Sequence, residues 1–548
     1  MNHRVRVRLR LNLARWARSC RAAAVVLALA MGAAAFGGAT ASADMSALKD
    51  RVIEHRLSNG LRLLMVERHH APVVSINVTF GVGGVNEITG QTGVAHLYEH
   101  MAFKGTQLLG TKDYEAERPL LDELDRLNAE LEAARRPMAA RAERGETPDA
   151  TATAKVAELE KRFAELQAKA GQYVVENEIP LLYQRHGGVG MNATTGKDVT
   201  RYIVSLPSNR LPLWAAIESD RMANTVMREF YKERAVVMEE RRLRTDDSPS
   251  GLLYEALSAA AFQAHPYQFP TIGWGADIQG LTPAITQQFF QAYYSPNNAV
   301  IAMVGDIKPA EVIALVERTF GSIPSAPVPP AVFTEEPPQR GERRVDVGFD
   351  AEPMLVIGFR KPGIGHPDDY VFDVIESVLT DGVTSRLHDK LIREQKVAVA
   401  VDADTGFPGS RTPTLFTIHA VPRAPHTAAE VEAAVYAELE RLKTEPVTEQ
   451  ELDKVRNNLD AGLTRSLRSS SGLAGSLAYY QTVFGDWRYV ITGRDRIAAV
   501  TAADVQRVAA LYLTKQNRTV ATLVRTPSDA SDAPGPATPR GARKEGRS

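Results

Sequence analysis

The chain has 548 residues with 65 basic and 66 acidic side chains, and 44% of it is apolar. That is enough for a large core and too much for one ordinary domain. Balanced charge argues against a nucleic-acid binder, which normally carries a strong basic excess. A single cysteine excludes an intramolecular disulfide framework and any multi-thiolate metal site. A metal here must be held by histidines and carboxylates.

Residues 1–43 read as an export signal. Seven arginines and no acid precede an apolar run over 22–36, and Ala41-Ser42-Ala43 forms a small-residue cleavage site. The run is short for a permanent span, so no stable membrane helix is expected after cleavage. The expected location is exported and periplasmic.

The mature chain divides into an N-terminal domain over 50–323 and a C-terminal domain over 343–525. A proline-rich linker joins them at 324–342, and a tail at 526–548 lacks large apolar residues and is expected to be disordered. The segments Val73–Phe80, 202–205, 299–304, 354–359, 415–420 and 519–524 read as strands, and 212–222, 309–319 and 428–443 as amphipathic helices. Strands and helices do not alternate one for one, which favours α+β with mainly antiparallel sheets.

The halves look like copies. Thr282, Gln287, Tyr293 and Asn298 recur as Thr501, Gln506, Tyr512 and Asn517 at a constant offset of 219 residues. Each copy has a threonine N-cap, an amphipathic helix and a short strand. A period this long indicates two homologous domains.

Residues 114–178 differ in kind. Leu120, Leu124, Leu127 and Leu131, then Val156, Leu159, Phe163 and Leu166, recur at steps of three and four, with a break at 145–149. This is an antiparallel, coiled-coil-like helical hairpin inserted in the first domain. It reads equally as a docking arm or gate and as a solvated insertion.

The pentapeptide His96-Leu97-Tyr98-Glu99-His100 carries the chemistry. Positions four apart share a helix face, so both imidazoles can reach one ion. Glu99 lies on the flank, placed to touch a water rather than the metal. H-x-x-E-H is the inverted zincin arrangement. A catalytic zinc usually takes three protein ligands. The segment from Glu233 to Glu240 reads as a helix that can supply the third, but spacing alone leaves Glu233, Glu239 and Glu240 open.

Three stretches together resemble the pitrilysin (insulinase, mitochondrial processing peptidase) family of zinc metalloproteases: 93–106 around His96 and His100, Gly187-Gly-Val-Gly-Met-Asn192-Ala193-Thr-Thr195, and Glu233-Arg-Ala-Val-Val-Met-Glu-Glu240. The resemblance covers roughly 50–525. It implies Glu240 as third ligand, Glu233 as its support and Glu99 as general base. It also implies one zinc per chain, and substrate contact at Asn192 and Ala193 along a sheet edge. The implied activity is hydrolysis of peptides or unfolded polypeptides, with the chain forming a homodimer or a heterodimer with a related chain. The sequence departs from the family at Ile392 and Val399, where many members carry an arginine and a tyrosine that reach the substrate. A catalytically silent scaffold, or a subunit that works only with a partner, is the rival expectation.

Overall fold

Backbone pairing joins the strands into two sheets. A computed structural model describes residues 48–147, 149–329 and 331–526. The expected signal at 1–43 and all but the first residue of the expected tail lie outside the described residues.

The first sheet contains β1 (Ile53–Arg56), β2 (Arg62–Glu67), β3 (Val73–Phe80), β4 (Val189–Thr195), β5 (Thr200–Pro207) and β6 (Ala299–Gly305). The second contains β7 (Arg343–Phe349), β8 (Met354–Lys361), β9 (Ala398–Phe407), β10 (Thr414–Pro422) and β11 (Arg518–Arg525). The helices that bear on the site are α1 (Val94–Met101), α2 (Tyr114–Glu143), α3 (Ala150–Gly171), α4 (Phe230–Arg241), α5 (Pro249–Ala261), α6 (Pro283–Tyr293), α7 (Ser470–Val483) and α8 (Ala502–Tyr512).

The strand orders are β1-β2-β6-β3-β5-β4 and β7-β11-β8-β10-β9. In each sheet one pair is parallel, β2 with β6 and β7 with β11, and the other pairs are antiparallel. Apart from β1, the two sheets share one topology, so the fold is two-domain α+β with a common plan. The repeat extends to single hydrogen bonds. The hydroxyls of Thr282 and Thr501 accept from the backbone N–H groups that open α6 and α8. The side-chain amides of Asn298 and Asn517 each donate to a tyrosine carbonyl five residues back, at 2.8 Å in both copies.

Each half covers the other's sheet. On β2, Leu63 and Met65 enter the first domain's own core, while Leu64 and Val66 face Leu473, Leu477 and Trp487 from the C-terminal half. On β8, Leu355, Ile357 and Phe359 face the second core, while Val356 meets Leu253 and Leu257 of α5 from the N-terminal half. Both faces of each sheet are apolar and must be buried, and α7 and α5 are exchanged to do it.

Helices α2 and α3 lie against each other through Leu127, Leu131, Leu159 and Phe163. Their anchor to the body is Arg228, fully buried with Glu117. Its guanidinium donates to both Glu117 carboxylate oxygens, at 2.7 and 2.9 Å, and to the carbonyls of Lys104, Leu109 and Thr106.

Candidate functional site

Helix α1 starts without a side-chain cap from its own N-cap residue, Gly93, which sits at φ +87°. A Cβ there would meet the Ile272 carbonyl at 2.5 Å, so only glycine fits. The orphan N–H groups of Gly93 and Ala95 instead donate to the two oxygens of the buried Glu87 carboxylate, each at 2.9 Å. Burial pushes Glu87 up to about 7, offset in part by these bonds and by Lys197. Thr92 does not cap; its hydroxyl donates to Asp277 and accepts from the Trp274 N–H.

So fixed, α1 turns His96 and His100 to one side, with ring centroids 4.8 Å apart. Helix α4 meets that side with Glu240. Glu240 Oε2 lies 3.3 Å from His100 Nε2 and 3.7 Å from His96 Nε2. Among the described residues, His96, His100 and Glu240 are the one group of three His, Cys, Asp or Glu side chains whose donor atoms fall within 4.8 Å of one another. Ligands about 2.0–2.1 Å from a tetrahedral zinc lie roughly 3.3 Å apart. The observed separations and the two-imidazole, one-carboxylate donor set therefore fit a zinc ion. Burial, with help from His100 and Arg244, lowers His96 to about 3, so its ring is neutral as a ligand must be.

The three glutamates that spacing could not separate have distinct places. Glu233 stands behind His100, with Oε1 2.9 Å from Nδ1, while Lys104 Nζ lies 2.5 Å from its other oxygen. Such a carboxylate orients a ligating imidazole. Glu239 turns outward to Arg242. Glu240 faces the histidines, with its second oxygen 2.7 Å from Arg244.

Glu99 is not part of the triad. Its Oε2 accepts from the Thr195 hydroxyl at 2.5 Å, and burial raises its carboxyl above the ordinary value. Thr195 ends β4, one of the two outer strands of the first sheet. Asn192 and Ala193 of β4 line a cavity of about 370 Å³ together with Glu99, His100 and Glu233. Asn192 is exposed, whereas Ala193 packs into the core.

Sequence reasoning passed over Glu87, Lys104, Thr195 and Arg244. Thr195 closes the glycine-rich stretch at 187–195, and Lys104 lies one turn beyond His100. No local pattern announces Glu87. In the second half, Ile392 packs against the core, Val399 is half-exposed on β9, and Arg393 pairs with Asp389 at 2.5 Å. Neither position supplies an arginine or a tyrosine.

A repeated α+β chain whose H-x-x-E-H helix meets a carboxylate from a second helix has the arrangement of the inverted zincins. Comparison with known proteins narrows this. The insulinase (peptidase family M16) model matches residues 62–137, and the peptidase M16 inactive-domain model matches 280–459. Zinc protease PqqE of Helicobacter pylori is 28% identical over 463 residues, 83% of this chain and 89% of that protein. The mitochondrial-processing peptidase subunit beta of Lentinula edodes is 22% identical, over 83% of this chain and 86% of its own. The crystal structure of a protease from Helicobacter pylori superimposes with a TM-score of 0.71 at 26% identity, covering 86% of this chain and 99% of that one. The chain belongs to the M16 peptidase family.

Proposed function

We propose that the protein is a zinc-dependent metalloendopeptidase that hydrolyses peptides or unfolded polypeptide segments. The observation that carries this is the convergence of His96, His100 and Glu240, with the half-buried Glu99 and His100 lining a cavity together with the outer strand β4. His96, His100 and Glu240 would hold the zinc, which supplies Lewis-acid polarisation of the scissile carbonyl and lowers the pKa of water. Glu233 steadies the His100 ring from behind. Glu99 accepts the proton of the attacking water and returns it to the leaving amine. The Thr195 hydroxyl holds one Glu99 oxygen, fixing the direction of the other. An extended substrate adds to β4 near Asn192 and Ala193, where backbone hydrogen bonds give affinity with modest sequence demand.

The arginine-rich leader supports export to the periplasm. No helix among the described residues is long and apolar enough to cross a membrane. A second reading, a subunit active only beside a related chain, is favoured by Ile392 and Val399. The Lentinula relative's naming as a subunit points the same way.

Zinc content and hydrolysis of an unstructured polypeptide, with and without chelator, test both readings. Glu99→Gln should keep zinc and lose about 10²–10⁴-fold in turnover, while Glu240→Gln should lose zinc. Wild-type turnover in Glu99→Gln removes Glu99 as the base, and full activity without metal ends the zinc reading. Activity that appears only on mixing with a related chain selects the second reading.

A further inference from the structure

The helical hairpin forms one wall of a groove that borders the site cavity. A space of about 1000 Å³ lies between α2 and α3 on one side and the start of α4 with α6 on the other. Val174, Glu176, Glu229 and Lys232 line both this groove and the 370 Å³ cavity that holds Glu99 and Asn192. The two spaces therefore share a border, at which Lys232 pairs with Glu229 and Glu176.

The groove has a definite chemistry. Leu121, Met227 and Tyr231 give it apolar surface. Asp122 and Asp125 of α2 line it and enter no ion pair among the described residues. Asp125 only accepts a hydrogen bond from the Tyr231 hydroxyl, at 3.0 Å, and burial raises its carboxyl to about 6. Arg234, over the Tyr231 ring at 5.2 Å, enters no ion pair among the described residues, whereas the cations that line the groove each face a carboxylate. Arg228 is bound to Glu117, Arg118 lies within reach of Glu115, and Lys232 lies between Glu229 and Glu176 at 2.9 and 3.6 Å. The lining carries five carboxylates against three cations, so its net charge is negative, over an apolar floor.

We propose that this groove is an exosite for a basic, unfolded segment of the substrate polypeptide, remote in sequence from the bond that is cut. The proposal rests on the peptidase reading above for its substrate. It takes the occupant from two observations: the border shared with the site cavity, and charge complementarity. An extended chain advances about 3.3 Å per residue, so substrates long enough to leave the strand edge reach the groove and short ones do not. The hairpin then selects for length and positive charge without touching the reacting atoms.

Ala168, exposed on α3 in the groove wall, allows a test that leaves the fold alone. Ala168→Arg and Ala168→Glu differ in charge sign and place a long side chain at the same helical position. Two fluorogenic peptides of about 25 residues, up to roughly 80 Å extended, carry one cleavable sequence and either a lysine-rich or a glutamate-rich tail. A third peptide has no tail. With the zinc-loaded full chain, Ala168→Arg should raise KM for the lysine-tailed peptide about tenfold, and Ala168→Glu should not. The tailless peptide should keep its kcat/KM within about twofold. Binding of the tailed peptides to the Glu99→Gln variants, read by fluorescence anisotropy, should follow the same order without any turnover.

Equal KM and equal affinity for the two tails in all variants would overturn the exosite, as would a variant effect that is the same with and without the tail. Charge-dependent binding with no hydrolysis by the wild type would uphold the groove and overturn the peptidase reading instead. The two claims therefore fail separately.

Discussion

Replacing Arg228 by methionine removes a guanidinium that is fully buried and makes five hydrogen bonds. What remains is worse than what is lost: Glu117 stays buried without its cation, and the carbonyls of Lys104, Thr106 and Leu109 lose their donor. Breaking a buried pair from one side costs about 3–5 kcal/mol, a large share of a total stability of about 5–15 kcal/mol. Glu117→Gln should cost less, because the guanidinium keeps its three carbonyls and the amide oxygen still accepts. The double variant Glu117→Met/Arg228→Met should be more stable than Arg228→Met alone, since no charge is stranded. Urea unfolding followed by far-UV circular dichroism reads this. With slopes of about 1–3 kcal/mol per M, Arg228→Met should lower the first midpoint by at least about 1 M. A loss under about 1 kcal/mol, or a double variant whose cost equals the sum of those of Glu117→Met and Arg228→Met, would refute the view of Arg228 and Glu117 as a coupled anchor.

Further outcomes follow from single side chains. Thr195→Val should lower kcat about tenfold with little change in KM, and Thr195→Ser should restore it, because the hydroxyl orients Glu99 rather than binding substrate; an unchanged kcat in Thr195→Val removes that role. Leu477→Ala, at a fully buried contact of α7 with the first sheet, should cost about 2–5 kcal/mol; a cost below about 1 kcal/mol in the same urea assay would mean α7 does not seal that face. Residues 48–329 expressed alone should bind a hydrophobic dye and aggregate, whereas co-expression with 331–526 should rescue solubility; a soluble, cooperative fragment contradicts the helix exchange. Burial and the neighbouring Asp369 push the Asp373 carboxyl up to about 7. Its folded pKa thus lies above its unfolded one, so its contribution is fully present below about pH 4 and is lost as pH rises towards about 7. Asp373→Asn should therefore stabilise the protein more at pH 8 than at pH 4, and an equal effect at both would show that Asp373 does not titrate in that window.

What pattern reading finds depends on how far each signal reaches. The threonine cap, amphipathic stripe and strand of α6–β6 and α8–β11 are local, so the repeat at 219 residues shows directly in the order of amino acids. Outer strands β4 and β9 carry glycine, threonine or aspartate in place of a continuous apolar run, so propensity passes over them. The H-x-x-E-H spacing is enough to bring two imidazoles together, because helix geometry alone sets that distance. Choosing Glu240 over Glu239 is different: the two are adjacent on one helix, and only the angle at which α4 crosses α1 decides which meets the histidines. The same limit applies to α5 and α7, whose apolar faces show that each must be covered but not which sheet covers them.

Glu87 marks the far end of this scale, since its carboxylate caps α1 from six and eight residues upstream, beyond the three-residue reach of a capping box. The features hidden from the sequence are therefore those that fix one element against another, and they are also the ones that hold the site. Glu87 holds the start of α1, Arg228 ties the hairpin to the turns flanking α1 and α4, and α7 backs the sheet that has β4 at one edge. A site of this kind tolerates changes within its motifs only as far as these distant supports keep α1, α4 and β4 in register, so loss of function should track loss of those supports even where every motif residue is intact.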